Sequence, residues 1–112
     1  MSTTSADVVP VERISASAYT VAWDSTTLVL VEVGACGRRG VGYTSAGAGA
    51  AEVVTGTLAH VVSGRDALTP VASWAAMQRA VRNLGKPGLC ANAISAVDIA
   101  LWDLAARLHG VP

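Results

Sequence analysis

The chain has 112 residues, of which 52% are hydrophobic and 14% charged, and its formal net charge is zero. That length fits one domain and not two, and without clustered Lys and Arg there is nothing to neutralise a phosphate backbone, so nucleic acid is excluded as an expected partner. A small domain has proportionally much surface, so a composition this poor in charge implies that part of the surface expects a partner or a neighbouring domain.

The opening residues, MSTTSADVVPVER, lack the basic start and apolar stretch of a signal peptide. No apolar run approaches the roughly 20 residues of a membrane span, so a cytoplasmic protein with no membrane partner is expected. Cys36 and Cys90 fit neither a metal motif nor a disulfide framework and are expected to behave as small apolar residues. Residues 1–10 read as a polar stub, and 11–112 as the domain.

Two extended stretches come first. Val11 to Val21 mixes β-branched and small residues, and Thr26 to Val33, TTLVLVEV, is the strongest strand, apolar on both faces until Glu32 and therefore central or covered. In GACGRRG, Gly34, Gly37 and Gly40 are expected to supply the positive φ of a hairpin turn, with Arg38 and Arg39 solvated at its tip. Val41 to Thr44 returns as a third strand. Three strands on short connections make an antiparallel meander, since no crossover helix fits between them.

From Ala50 the period becomes helical. Val53, Val54, Leu58, Val61 and Val62 lie on one side of a helix weakened by Gly56 and ended near Ser63 and Gly64. Thr69 and Pro70 give an N-cap and first-turn proline for a second helix, with Trp74, Met77, Val81 and Leu84 facing inward and Gly85 closing it. Gly85 to Gly88, GKPG, reads as a loop with Lys86 solvated. A final helix is expected from Asn92, with a stripe of Ile94, Val97, Leu101, Leu104 and Leu108. Ile99 and Trp102 widen its apolar surface, so cover on two sides is expected. Asp103 and Arg107 are spaced for an i, i+4 pair, Gly110 sits at C′, and Pro112 cannot continue the helix. Strands followed by helices give an α+β fold: a three-stranded antiparallel meander followed by a helical bundle.

Motifs of self-contained chemistry do not emerge. GAGAAEVV, from Gly47, puts Glu52 where a dinucleotide loop needs a small residue, and no G-K-[ST] follows. Ser25 lies in no nucleophile motif. His60 and His109 sit on separate helices without metal-ligand spacing. Asp98 and Asp103 are about 140° apart around a helix and cannot converge on one atom; Asp98 is expected to bond to a neighbouring backbone group or Arg.

ISAVDIALWDLAARLHGVP, Ile94 to Pro112, resembles the end of the N-terminal capping domain of the enolase superfamily, particularly the mandelate racemase and muconate lactonizing enzyme group. TTLVLVEV with its glycine turn and GVGYT resemble the second and third strands of that domain, and VSGRD followed by SWAAM its helical part. The resemblance runs from about Val11 to Pro112. It implies an isomerase or lyase whose (β/α) barrel holds Mg and abstracts a proton α to a substrate carboxylate, giving racemisation, dehydration, cycloisomerisation or epimerisation. None of the catalytic or metal residues falls on this chain, which on this reading stops where the barrel would begin.

What the resemblance carries onto these residues is substrate capping by two loops. They match Tyr19 to Asp24, with Trp23, and Tyr43 to Gly47, with Tyr43 and Thr44. The first loop, AYTVAWDS, is shorter than the flap of many members. The implied partners are the barrel of the same enzyme, a carboxylate-containing small molecule and further copies of the enzyme in a homo-oligomer. A different class of reading is a non-enzymatic module that self-associates through its apolar face.

Overall fold

A computed structural model describes residues 8–20 and 27–110. Strands β1 (Arg13–Thr20), β2 (Thr27–Ala35) and β3 (Arg38–Ser45) form one antiparallel sheet in the order β1-β2-β3. The meander is as the sequence implies, with β2 in the centre. Ile14 pairs with Val33 and Tyr19 with Leu28 on one side of β2, and Leu30 with Tyr43 and Val33 with Gly40 on the other. Because side chains alternate across a strand, Val29, Val31, Val33 and Ala35 share one face, and all four are buried under the helices. Leu28, Leu30 and Glu32 face the other way, where Glu32 meets Arg39 at 3.4 Å in a solvent-exposed pair.

The β2–β3 turn differs from expectation. Among the three glycines proposed to supply positive φ, only Gly37 does so, at +75°, and its partner is Cys36 at +52°. Gly34 and Gly40 lie inside strands. A two-residue hairpin turn of this kind needs positive φ at both central positions to match the twist of its strands, and a residue with a Cβ adopts it at a cost. Cys36 is therefore exposed at a turn tip, not an apolar filler, whereas Cys90 is buried; both are free thiols. Replacing Cys36 with Asn, which tolerates the left-handed region, is expected to raise the unfolding free energy by about 0.5–1 kcal/mol in a urea titration.

The stub expected over 1–10 lies outside the described residues as far as residue 7. From Val9 the backbone is held: the Val9 N–H donates to Asp66 Oδ1 at 3.2 Å, Ala67 N–H to Val9 O at 2.7 Å, and Val11 N–H to Arg65 O at 2.9 Å. Helix α1 (Gly49–Val53) runs through a π-helical turn, Val54–Leu58, into α2 (Ala59–Val62). Val54, Leu58 and Val62 are buried, as the periodicity implies. The π turn contains Gly56, where helical propensity is weakest.

Helix α3 (Pro70–Val81) begins at its proline. Thr69 stands at the N-cap position, but its hydroxyl turns back to Asp66 O at 3.3 Å and caps nothing. The inward face is Pro70, Ser73, Ala76 and Met77, with Val81 half-buried; Trp74 and Leu84 are 44% and 45% exposed and do not face inward. The inward stripe uses small residues, which apolar periodicity alone passes over, and Leu84 lies beyond the last helical turn.

Helix α4 (Pro87–Leu108) starts five residues before Asn92, because Pro87 occupies a first-turn position where its missing N–H costs nothing. GKPG is accordingly half loop and half helix. At 22 residues α4 is long and apolar enough to cross a membrane, contrary to the expectation above, yet half of its most apolar window is buried within the domain, as in a core helix. The Asp103–Arg107 pair forms at 3.2 Å, and Gly110, at φ +77°, reverses the chain as a C′ residue should.

Helix α4 lies against β3 at backbone distance. A Cβ built on Gly42 would collide with Ala96 O and sit 2.6 Å from Ala100 N; one on Gly40 would collide with Ala100 O and sit 2.5 Å from Leu104 N. Ala93, Ala96 and Ala100 are fully buried on the helix side, with Ile94, Val97, Leu101 and Leu104 completing the core. The two sheet glycines and the helix alanines thus form a contact between backbones, with little side chain between them.

Candidate functional site

Of the residues singled out for substrate capping, Tyr43 and Thr44 lie near the open end of the meander. Here β1 ends at Thr20, β2 begins at Thr27, and the Ala46 N–H donates to Thr27 O at 3.2 Å, closing the sheet at the end of β3. Tyr43 and Thr44 are adjacent in β3 and therefore point to opposite faces. Tyr43, opposite Leu30, projects from the face without helices and is 60% exposed. Thr44, opposite Val29, is half-buried on the helix-covered face. Trp23 lies outside the described residues. Tyr19, opposite Leu28, shares the face of Tyr43 and is 54% exposed. The sheet therefore brings Tyr19 and Tyr43 to one side and sends Thr44 to the other. Strand parity is the signal that finds Tyr19 and separates Tyr43 from Thr44.

The two helix aspartates have separate partners, as their angular separation requires. Asp103 accepts a hydrogen bond from the Val41 N–H at 2.9 Å through the same Oδ2 that takes Arg107 Nε at 3.2 Å. It thus satisfies an outward N–H of the edge strand β3, a role that i, i+4 spacing does not reveal.

Among the described residues Asp98 finds neither a backbone group nor an Arg, contrary to expectation. The Trp102 indole donates to its carboxylate, while Oδ1 is sealed from solvent without a hydrogen-bond partner among the described residues. Desolvation raises its pKa above 3.8, opposed by the Trp102 hydrogen bond. The folded state therefore holds this proton at higher pH than the unfolded state, and stability falls as pH rises from 3.8 through the raised value. Asp98→Asn is expected to remove that decline, so urea midpoints of the two proteins should diverge as the pH rises above 3.8.

His60 and His109 are exposed on different helices, and Lys86 is exposed before α4. Among the described residues no three His, Cys, Asp or Glu side chains lie together as metal ligands. The donor set these residues offer does not fit Mg.

A three-stranded antiparallel meander followed by helices is the α+β architecture of an enolase-type N-terminal domain. The sequence pattern of the mandelate racemase / muconate lactonizing enzyme N-terminal domain matches residues 2–112, and the chain belongs to that family. L-rhamnonate dehydratase of Saccharopolyspora erythraea is 38% identical over 103 residues, 92% of this chain and 26% of that protein. Among solved structures, a mandelate racemase/muconate lactonizing enzyme-like protein from Rubrobacter xylanophilus is 47% identical, with a TM-score of 0.81, over 94% of this chain and 32% of the other. A racemase from Streptomyces coelicolor A3(2) with bound magnesium is 33% identical, with a TM-score of 0.82, over 88% of this chain and 31% of its own. The chain thus spans between a quarter and a third of the length of these proteins.

Proposed function

We propose that this domain is the specificity cap of a metal-dependent enolase-superfamily enzyme, an isomerase or lyase that removes a proton α to a substrate carboxylate. Membership of the N-terminal domain family carries this reading. The similarity to a rhamnonate dehydratase favours a sugar acid as substrate and dehydration as outcome. Magnesium and the acid–base groups belong, on this reading, to the (β/α) barrel of the same enzyme. The cap's own residues exclude water and shape the site, with Tyr43 and Tyr19 offering aromatic surface with a polar tip at the open end of the sheet. Trp23, which lies outside the described residues, and Thr44, on the opposite face, remain in the proposed capping set. A homo-oligomeric, cytoplasmic enzyme belongs to the same reading, in keeping with two free cysteines.

The test is turnover. Incubated with Mg and L-rhamnonate, or with another α-hydroxy acid, the isolated chain should show none, and the chain joined to a barrel should show it. Magnesium-dependent turnover by the isolated chain would overturn the assignment of chemistry to the barrel.

A further inference from the structure

The two edges of the sheet are finished differently. The outer edge of β3 is closed by α4: Gly40 and Gly42 lie under its backbone, and the Val41 N–H donates to Asp103. The outer edge of the first strand is closed only where it begins. There the Val11 N–H donates to Arg65 O, the Gly64 N–H to Val11 O, and the Ala67 N–H to Val9 O. From Glu12 to Thr20 no group among the described residues hydrogen-bonds to the side facing away from β2.

An open edge is a template for another strand, and soluble proteins guard it with proline, lysine, an inward-pointing charge or a bulge. β1, RISASAYT, has none of these. Its pairing with β2 runs unbroken from Arg13 to Thr20, and its one charge lies back over the sheet, with an Arg13 guanidinium nitrogen 2.9 Å from where a Cβ on Gly34 would stand. At one end of the open stretch is a hollow of about 520 Å³ whose walls include Glu12, Arg13, Ser15, Glu32, Arg39 and His60. At the other end Tyr19 projects from the same face as Arg13 and is 54% exposed. The strand thus carries a hollow at one end and a large unburied side chain at the other. A strand of unrelated sequence has no reason to match that pair, but β1 itself does.

We propose that the open edge of β1 pairs with the same edge of a second copy of the chain, antiparallel about a two-fold axis perpendicular to the sheet. The register follows from the length of the open edge. An arriving strand can run no further than Glu12, because Arg65 to Ala67 occupy the edge beyond it, and β1 itself ends at Thr20. Ala16 is the midpoint of that stretch, so it lies at the axis opposite its own counterpart. Opposed residues share a face: Ser15 then meets Ser17, half-buried Ile14 meets exposed Ala18, and Arg13 meets Tyr19. Each tyrosine enters the hollow of the other copy with its ring beside the Arg13 guanidinium, a cation–π contact, and the single charge of the strand never faces itself. Two three-stranded sheets become one continuous sheet with every helix on the same side. This supplies a surface for the homo-oligomer of the proposed function and needs neither the capping role nor the barrel. It commits Tyr19 to the contact between copies and leaves Tyr43 at the open end.

The experiment places a cysteine at the axis. In a Cys36→Asn background, with Cys90 buried, Ala16→Cys should form a disulfide dimer under mild oxidation, because directly opposed residues of an antiparallel pair have Cα atoms about 4.5–5.5 Å apart, within disulfide reach. Ala18→Cys, opposed to Ile14, and Tyr43→Cys, on the far strand, should stay monomeric. Without engineered cysteines, sedimentation velocity should show a concentration-dependent dimer, and amide hydrogen exchange should slow in β1 as it forms while β3 is unchanged. Tyr19→Arg, which sets two cations against each other, should weaken the dimer about tenfold and leave the thermal midpoint of the dilute monomer unchanged. A monomer at every concentration with constant exchange in β1 would overturn the proposal. So would a dimer that Tyr19→Arg leaves intact, or one that crosslinks better through Ala18→Cys than through Ala16→Cys. A further arm uses a chimera in which the chain replaces the matching 32% of the Rubrobacter xylanophilus protein. Protection of β1 there at every dilution, with no Ala16→Cys crosslink, would assign the edge to a segment of the same polypeptide and overturn the second copy. None of these readouts involves turnover, so each leaves the capping role to its own test.

Discussion

Gly42→Ala is expected to be the most damaging methyl group that can be added to this chain, lowering the unfolding free energy by about 3 kcal/mol. The added Cβ would meet Ala96 O and Ala100 N, which are backbone atoms of α4 and cannot rotate away. Either the helix withdraws from β3, opening the core over Val31 and Val97, or the strand bends and breaks its register with β2. Both lose burial that the domain cannot replace elsewhere. Gly56→Ala is the control: Gly56 is exposed, and nothing lies within 4 Å of its would-be Cβ. There the expected change is a gain of about 0.5–1 kcal/mol from helix propensity and a less flexible unfolded chain. Urea titrations of both variants, followed by circular dichroism, check the pair. Equal and small effects would show that the sheet–helix contact is looser than described.

Asp103→Ala is expected to cost about 1.5–3 kcal/mol, the range for a hydrogen bond with one charged partner. It removes the acceptor of the Val41 N–H and leaves that donor of an edge strand beside an apolar helix. Asp103→Asn keeps a carbonyl oxygen within reach and should retain most of the stability. Arg107→Ala tests the alternative that the ion pair matters; both side chains are partly exposed, so a loss of about 0.5 kcal/mol at most is expected. Hydrogen exchange of the Val41 amide gives a local readout: faster in Asp103→Ala, unchanged in Arg107→Ala.

The elements that sequence periodicity placed well are those whose signal is their own composition. The valines of TTLVLVEV mark a central strand wherever they occur, and the Leu and Val stripe of α4 marks its buried face. Features that depend on a neighbour were misplaced or carried no local signal. Gly40 is a glycine because a helix backbone lies over it, which no local pattern distinguishes from a turn glycine, and Gly42, in the strand as expected, meets the same helix. Ser73 and Ala76 face inward because α3 approaches α4 closely, while Trp74 stands at the edge of that contact. Asp103 serves a strand 62 residues earlier in the chain. The onset of α4 at Pro87 was legible in principle, since proline favours the first turn, but glycines on either side of Lys86 and Pro87 read more readily as a loop.

At the candidate site the same division holds. Tyr43 and Tyr19 are legible as exposed aromatic residues of strands, and parity sorts them by face. Asp98 was legible only as a charge on an apolar helix. Its unsatisfied oxygen becomes visible once α3 is in place beside it.

The close seating of β3 on α4 also governs how the domain can move. Tyr43 is the next residue after Gly42, and Gly42 touches the helix through main-chain atoms at Ala96 and Ala100. Side chains can change rotamer to absorb a displacement; two backbones in contact cannot. The tyrosine at the mouth of the meander and the middle of helix α4 are therefore held in fixed relation by main-chain contact.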